Sequence, residues 1–440
     1  MAERVPGIIV KIVPDTGIVA PPLFERYPLI IGSGETELPV YDEAVTRAAY
    51  GELDALSKTG VNRVIQIGDI PGSSKYEEGV DFVLTGDEID WTPGGIEPAA
   101  GAIYYVTYTY DLPLATAFEP TLYFDENMLY ADHGQKTLVA GGINPLTVAA
   151  DISLQAGAKG VVVAQLNPAD GTLVQQYDAV IEKLEKIVGM KLFIVPLDVN
   201  SQVNSNIFNH CVVSSVASRK QERTMFVASA KGTSYTTFRN LPALYRNGRA
   251  VVPLCYNGEI TISGFTGTYD QVYIGAAIAG ALCAVEIGGG VSDTPLPGFQ
   301  CVGDFTPVQY DILVQAGGSP VSSGGGIPRL VMAITTDTSN AINEDLGVQD
   351  IADYTKKYWR ERLWEIYKNA RITANFGSSL VSTSRTMLER LLSDNVIAGY
   401  KDISAVPDSV EPRKWKMYGK IKPMFTFQWM DVEFVFVASL

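Results

Sequence analysis

The sequence predicts a multidomain α+β and α/β chain, with a β-rich N-terminal domain, an α/β core layer, and C-terminal helices followed by terminal β-strands. Three observations carry this expectation. Up to about residue 130, apolar and polar positions alternate at the period of half-buried strands. From about 140 to 290, short continuous apolar runs alternate with helical segments, as in a largely parallel sheet. Both ends of the 440-residue chain are apolar and β-type, a run without a neighbouring hairpin partner at the start and a pair of β-runs or one bulged strand at the close.

At the N-terminus, GIIVKIV (7–13) is a β-type run. The prolines of PDTGIVAPPLFERYP separate it from the β-rich segment after them, so it must pair with something distant, such as another subunit. Residues 43–57 place Ala44, Val45, Ala48, Ala49, Leu53 and Leu56 at helical spacing. VNRVIQIG (61–68) alternates as a strand, and GAIYYVTYTYDLP (101–113) alternates Tyr with Val or Thr as in an antiparallel sheet. In the middle, KGVVVAQLN, KLFIVPLDV, TMFVASAKG and RAVVPLCYN read as buried strands. YDAVIEKLEKIVG, a 200–220 segment and 271–286 read as the helices between them. A basic helix is expected over 355–377, ended by Gly377, and a second over 382–399 with Gly399 as its C-cap. The chain closes on IKPMFTFQWMDVEFVFVASL, too apolar to stay uncovered. The expected domains are 1–20 (strand arm and linker), 21–130 (β-rich), 131–345 (α/β core) and 346–440 (helices, β-strands and strand arm).

Composition narrows the function. With 46% hydrophobic and 19% charged residues the chain is expected to be ordered and globular. The longest apolar stretch, 272–285, is too short to span a bilayer, and no secretory signal is apparent at the N-terminus. The four cysteines are scattered without a CxxC pair and read as small buried hydrophobes made in a reducing cytosol. A net charge of −15 argues against nucleic acid as a partner. Its distribution says more: residues 354–440 hold 14 Lys and Arg against 9 Asp and Glu, whereas the other 353 hold 20 against 40. Such asymmetry suits head-to-tail association of copies, although two plainly solvated surfaces would look the same.

Catalytic patterns are missing. The two histidines, His133 and His210, lack metal-ligand spacing. Asp132–His133 sits in ADHGQ and reads as a solvated loop. Adjacent His210 and Cys211 would point apart on a strand or a helix. GSGE, GGG and SSGGG match no phosphate-binding loop, and no GxSxG or SxxK occurs. The carboxylates Asp81, Asp87, Glu88 and Asp90 fall on the turn and outer rim of a hairpin rather than around a metal. No catalytic residue, metal or cofactor is expected.

The order of several motifs is more specific than any one of them. YEEGVDFVLTGDEIDWTPG leads to GAIYYVTYTYDLP. YDQVYIGAAIAGALCAVEIGGGVSDTPLPGF then precedes the basic helix, LERLLSDNVIAGY and a terminal β-run, IKPMFTFQWMDVEFVFV. In this order the chain resembles the contractile tail sheath proteins of bacteriophages and related injection machines. The resemblance implies a virion structural protein, not an enzyme, built into hexameric rings stacked around a tail tube. Its partners would be copies of itself, the tube protein, and baseplate and tail terminator proteins, with neither nucleic acid nor membrane insertion. It would assemble in the host cytoplasm, reside in the phage tail, and contract to drive the tube through the host envelope. Its terminal strands would exchange between subunits, so Ile8, Ile9, Val10, Ile12, Phe425, Phe427, Trp429, Phe434 and Phe436 become candidate inter-subunit strand residues. Lys356, Lys357, Arg360, Arg362 and Lys368 become a candidate tube-facing or neighbour-facing basic helix. The sheath of a non-viral injection system is the near alternative. An α/β small-molecule enzyme and a β-rich virion adhesin are the distant ones.

Overall fold

A computed structural model describes residues 25–91, 95–111, 118–138, 141–216, 221–323, 326–411 and 413–425. They form two compact units: a β unit of Ile30–Asp151 with Gly160–Lys183, and a core unit made of the rest. Among the described residues, ten helices and several sheets make the chain mixed α/β.

The β unit is built on a three-stranded antiparallel sheet. Its central strand β5 (Ile103–Asp111) lies between β1 (Glu37–Thr46) and β2 (Val61–Gly68). Alternation places Tyr104, Val106 and Tyr108 in the core, where they meet Trp91, Phe82 and Ile89. Trp91 packs edge-on against Tyr76 and Tyr104 at centroid separations of 5.0 and 5.2 Å. Asp54 is buried at this centre and accepts hydrogen bonds from Trp91 Nε1 (2.9 Å), the Tyr104 hydroxyl (2.8 Å) and Ala48 N (2.7 Å). Arg47, also buried, reaches it at 3.3 Å. The carboxylate is tolerated because its oxygens are satisfied.

The helix expected over 43–57 is not formed. Residues up to Thr46 pair with β5, with a bulge near Asp42, whose φ is 50°. The helical spacing of Ala44, Val45 and Ala48 is outweighed by pairing with a partner about sixty residues away, which satisfies the backbone and sends Val45 into the core. The segment around Asp87 does form a hairpin, β3 (Val83–Thr85) with β4 (Glu88–Asp90), turned at Gly86 with φ 61°. Its acids are not all at the wet rim, however. Asp81 is buried and accepts from the amides of Glu77 (3.0 Å) and Ile96 (2.8 Å), which hold its carboxyl below the usual range. Asp87 accepts from Val61 N at 2.8 Å.

Further along the unit, β6 (Thr121–Tyr123) pairs antiparallel with β7 (Val161–Gln165), which is buried throughout. Helices α1 (Glu126–His133), α2 (Pro145–Gln155, which runs past the unit's edge) and α3 (Leu173–Leu184) accompany them. His133 closes α1 and is buried, not solvated as ADHGQ implied. Its Nδ1 lies 2.6 Å from Gln165 Oε1 and its Nε2 lies 3.0 Å from the Tyr123 hydroxyl. Gln165 Nε2 donates to the Glu35 carbonyl at 2.6 Å, which orients the amide and makes Nδ1 the protonated nitrogen.

In the core unit, β8 (Met190–Pro196), β9 (Arg223–Phe226) and β10 (Ala250–Val251) are parallel neighbours. Helices α4 (Ser201–Ser214) and α5 (Tyr235–Leu244) separate them in sequence, which is the βαβ arrangement. Helix α6 (Val272–Ala284) is buried on all sides, as its continuous apolarity required. It can pack this closely because Gly280 bears no side chain: a Cβ there would lie 2.3 Å from the Ser153 carbonyl. Three of the four cysteines are buried, and burial pushes the Cys211 thiol up to about 12.

After α7 (Pro307–Gln315) come α8 (Leu346–Tyr367), α9 (Phe376–Ser393) and a two-stranded ribbon, β11 (Ile397–Pro407) with β12 (Trp415–Pro423). The basic helix thus starts earlier than expected, because Asp345 caps it by accepting from Val348 N at 3.0 Å, and it stops at Tyr367. Gly377 does not end it but opens α9, where the space of a Cβ is taken by the Trp415 ring at 2.9 Å. Gly399 is not a C-cap either. Asn395, at φ 56°, turns the chain out of α9, and Gly399 lies within β11.

Candidate interaction surface

The sequence singled out two sets of residues, both at the ends of the chain. Ile8, Ile9, Val10 and Ile12 lie outside the described residues, as do Phe427, Trp429, Phe434 and Phe436. Phe425, at the last described position, is 50% exposed.

The five basic residues of α8 and its C-terminal edge do not form one surface. Lys356 and Lys368 are exposed. Lys357 is buried and donates to the Gly189 carbonyl, with Glu361 at 3.8 Å. Arg360 is paired with Glu222 at 3.1 Å, and Arg362 with Glu365 at 2.6 Å. The buried side of the same helix carries what the sequence did not signal. Asp350 and Asp353 face three cations from distant segments. Arg26 pairs with Asp350 and also donates to the Val285 carbonyl. Lys191 Nζ lies 3.2 Å from Asp350 and 2.8 Å from Asp353. Arg249 makes a two-pronged contact to Asp353 at 2.5 and 2.7 Å. Burial alone would raise the Asp353 pKa, yet Lys191 and Arg249 hold its carboxyl well below the usual range. Asp350 and Asp353 are three apart and share one helix face; only that spacing was visible beforehand.

The ribbon is positioned by the helices beneath it. Ile397, Ile403, Tyr400, Met417 and Ile421 pack onto Tyr354, Tyr358, Leu388 and Leu391 in one apolar cluster. Among the described residues β11 pairs only with β12, so each strand keeps an unpaired edge. An open groove of about 860 Å³ runs between α9 and β11, lined by Val381, Arg385, Glu389, Tyr400, Ser404 and Trp415. Trp415 Nε1 is buried with no acceptor among the described residues. A groove open to solvent between a helix and a strand fits an extended chain rather than a compact ligand.

Chemistry elsewhere is sparse. Among the described residues no group of three or more His, Cys, Asp and Glu could hold a metal ion, and no helix is long and apolar enough to cross a membrane. His210 meets Ser214 at 3.3 Å inside α4.

Residues 33–122 match a family described as a domain of unknown function, DUF4815. No curated protein matches the sequence. Solved structures match over most of the chain. The helical sheath of the anti-feeding prophage in its contracted state has a TM-score of 0.59 at 10% identity, covering 98% of this chain and 99% of that one. A chain of the anti-feeding prophage baseplate has a TM-score of 0.58 at 12% identity, covering 74% and 90%. The contracted sheath complex of an extracellular contractile injection system, PVC, has a TM-score of 0.56 at 7% identity, covering 74% and 89%. The chain therefore shares the fold of contractile sheath components.

Proposed function

We propose that this chain is a structural sheath subunit that polymerises as stacked hexameric rings around a tail tube and contracts to drive the tube through a host envelope. The observation that carries the proposal is the edge-open ribbon with the groove along β11. Two apolar β-type runs at the chain ends, 7–13 and the part of 421–437 that follows β12, need partners that the ribbon edges of neighbouring copies supply. An added seven-residue strand would contribute several main-chain hydrogen bonds, each worth about 1 kcal/mol net. The unsatisfied Trp415 Nε1 would gain an acceptor from an incoming main-chain carbonyl. The prolines beside the N-terminal run, Pro14, Pro21 and Pro22, serve as a hinge, so subunits rotate as rigid bodies while strands stay paired. The energy of contraction then resides in the assembly, and no active site or cofactor is needed. The partners are further copies, the tube, baseplate and terminator proteins, and the finished location is a phage tail assembled in host cytoplasm.

A second reading is favoured by the company the fold keeps. The similar structures belong to the anti-feeding prophage and to an extracellular contractile injection system, so the sheath of a non-viral injection machine fits equally well. The domain layout 1–20, 21–130, 131–345 and 346–440 is proposed as arm, outer domain, core and strand-exchange domain.

Negative-stain microscopy of the purified chain tests this. Long hollow polymers or ring stacks are expected, and removal of residues 1–15 or 425–440 should abolish them. A monodisperse monomer at high concentration, unchanged by both truncations, would overturn the proposal.

A further inference from the structure

The β11–β12 ribbon has a second face, turned away from the helices. Cross-strand register sets Gly399 opposite Lys422, Lys401 opposite Lys420, Ser404 opposite Tyr418 and Val406 opposite Lys416. Directly opposed residues share a face. All four lysines are exposed, and between them Tyr418 is 52% and Val406 47% exposed. The face is thus an aromatic and aliphatic centre framed by ammonium groups.

Two of the four charges are met within the ribbon. A bulge places Asp402 at φ 58°, 2.8 Å from Lys420, and Asp408 lies 3.0 Å from Lys416. Among the described residues Lys401 and Lys422 form no ion pair within 4 Å, although Lys401 acts on the adjacent Asp402 carboxylate. Lys401 faces Lys420 directly across the ribbon, with the Asp402 carboxylate beside both. This face, not the basic helix, carries the cluster of outward-pointing cations, since Lys357, Arg360 and Arg362 are engaged by their own unit.

We infer that the outer face of the ribbon docks a carboxylate-rich patch on a second copy of this chain, with Tyr418 as the buried anchor and Lys401 and Lys422 as the steering rim. Complementary charge argues for a second copy: residues outside 354–440 hold 40 Asp and Glu against 20 Lys and Arg. A central tyrosine within a polar frame is the usual anatomy of a protein interface. The choice of a second copy as occupant rests on the sheath reading; the surface itself does not.

Full-length wild type, Lys401→Glu/Lys422→Glu, Lys401→Arg/Lys422→Arg and Tyr418→Ala should be compared by sedimentation and microscopy at about 50 and 500 mM NaCl. Association of the wild type should weaken at high salt as screening shortens to a few ångströms. Charge reversal should raise the concentration needed for association at least about tenfold at the lower salt, with an unchanged thermal melt. Tyr418→Ala should weaken it at both salts, and the Arg pair should behave as wild type. Salt-dependent small oligomers abolished by charge reversal, without hollow polymers, would support the surface while overturning the sheath reading. Hollow polymers indifferent to charge reversal would overturn the surface alone. Binding of a DNA duplex of about 30 base pairs that charge reversal abolishes, with self-association intact, would overturn the second copy in favour of nucleic acid.

Discussion

Replacing Asp353 by Asn removes one charge and almost no volume from the cluster under α8. Asp353 and Lys191 have side-chain exposures of 0%, and Arg249 has 10%, so water cannot replace the lost carboxylate. Lys191 would keep Asp350 at 3.2 Å as its only carboxylate, and Arg249 would exchange its two-pronged carboxylate contact for at most one neutral amide oxygen. Breaking a buried pair by removing one partner costs about 3–5 kcal/mol, because the remaining cation stays desolvated. That loss should appear in guanidinium unfolding followed by the fluorescence of Trp359 and Trp364 on the same helix, as a lower midpoint at unchanged slope. Asp353→Leu combined with Lys191→Met and Arg249→Met should recover much of it, since no cation is left buried alone and Asp350 keeps Arg26. The pH dependence has a definite sign. The folded pKa lies below the unfolded one, so the stabilisation is complete above about pH 4 and is lost as pH falls below it. The Asn variant should therefore melt with a flatter acid limb than the wild type. A loss under about 1 kcal/mol, typical of solvated pairs, would refute the reasoning.

Three further outcomes are expected. Gly280→Ala pushes a Cβ to 2.3 Å from the Ser153 carbonyl, so calorimetry should record a loss of about 1–3 kcal/mol; an unchanged melt would show that α6 shifts freely. His133 is held below its ordinary pKa by burial, so the folded chain binds fewer protons and loses stability as pH falls below about 6.5. His133→Gln should flatten the melting temperature between about pH 7.5 and 5, and an identical slope would count against the buried neutral imidazole. Asp81→Ala strips the acceptor from the amides of Glu77 and Ile96, so the hairpin region should become protease-sensitive, whereas Glu88→Ala should not.

Much of this was legible because it depends on neighbours in the chain. VNRVIQIG alternates, and it forms a strand over Val61–Gly68. GAIYYVTYTYDLP, the hairpin at Gly86, the all-apolar helix over 272–284 and the alternation of buried strands with helices arise from local period and turn chemistry in the same way. Residues 43–57 mark the limit. Ala and Val at helical spacing also fit a strand, and pairing with Ile103–Asp111, which local period cannot see, decides between them.

The ends of the basic helix were misplaced for a related reason. An Asp cap at 345 sets its start and Asn369, at φ 65°, turns the chain just past Tyr367, while the ring of Trp415, 38 residues on, packs against Gly377 within α9. The surface itself divides along the same line. Sequence by itself determined that positive charge gathers after residue 353 and that both termini are apolar. It could not tell which cations reach solvent. Lys357 turns inward because a carbonyl of residue 189 lies within reach, and Arg360 because Glu222 does. Lys401, Lys416, Lys420 and Lys422 share one outer face because antiparallel register aligns them. Charge is a property of composition, but its direction is set by partners far along the chain, and only tertiary structure decides that.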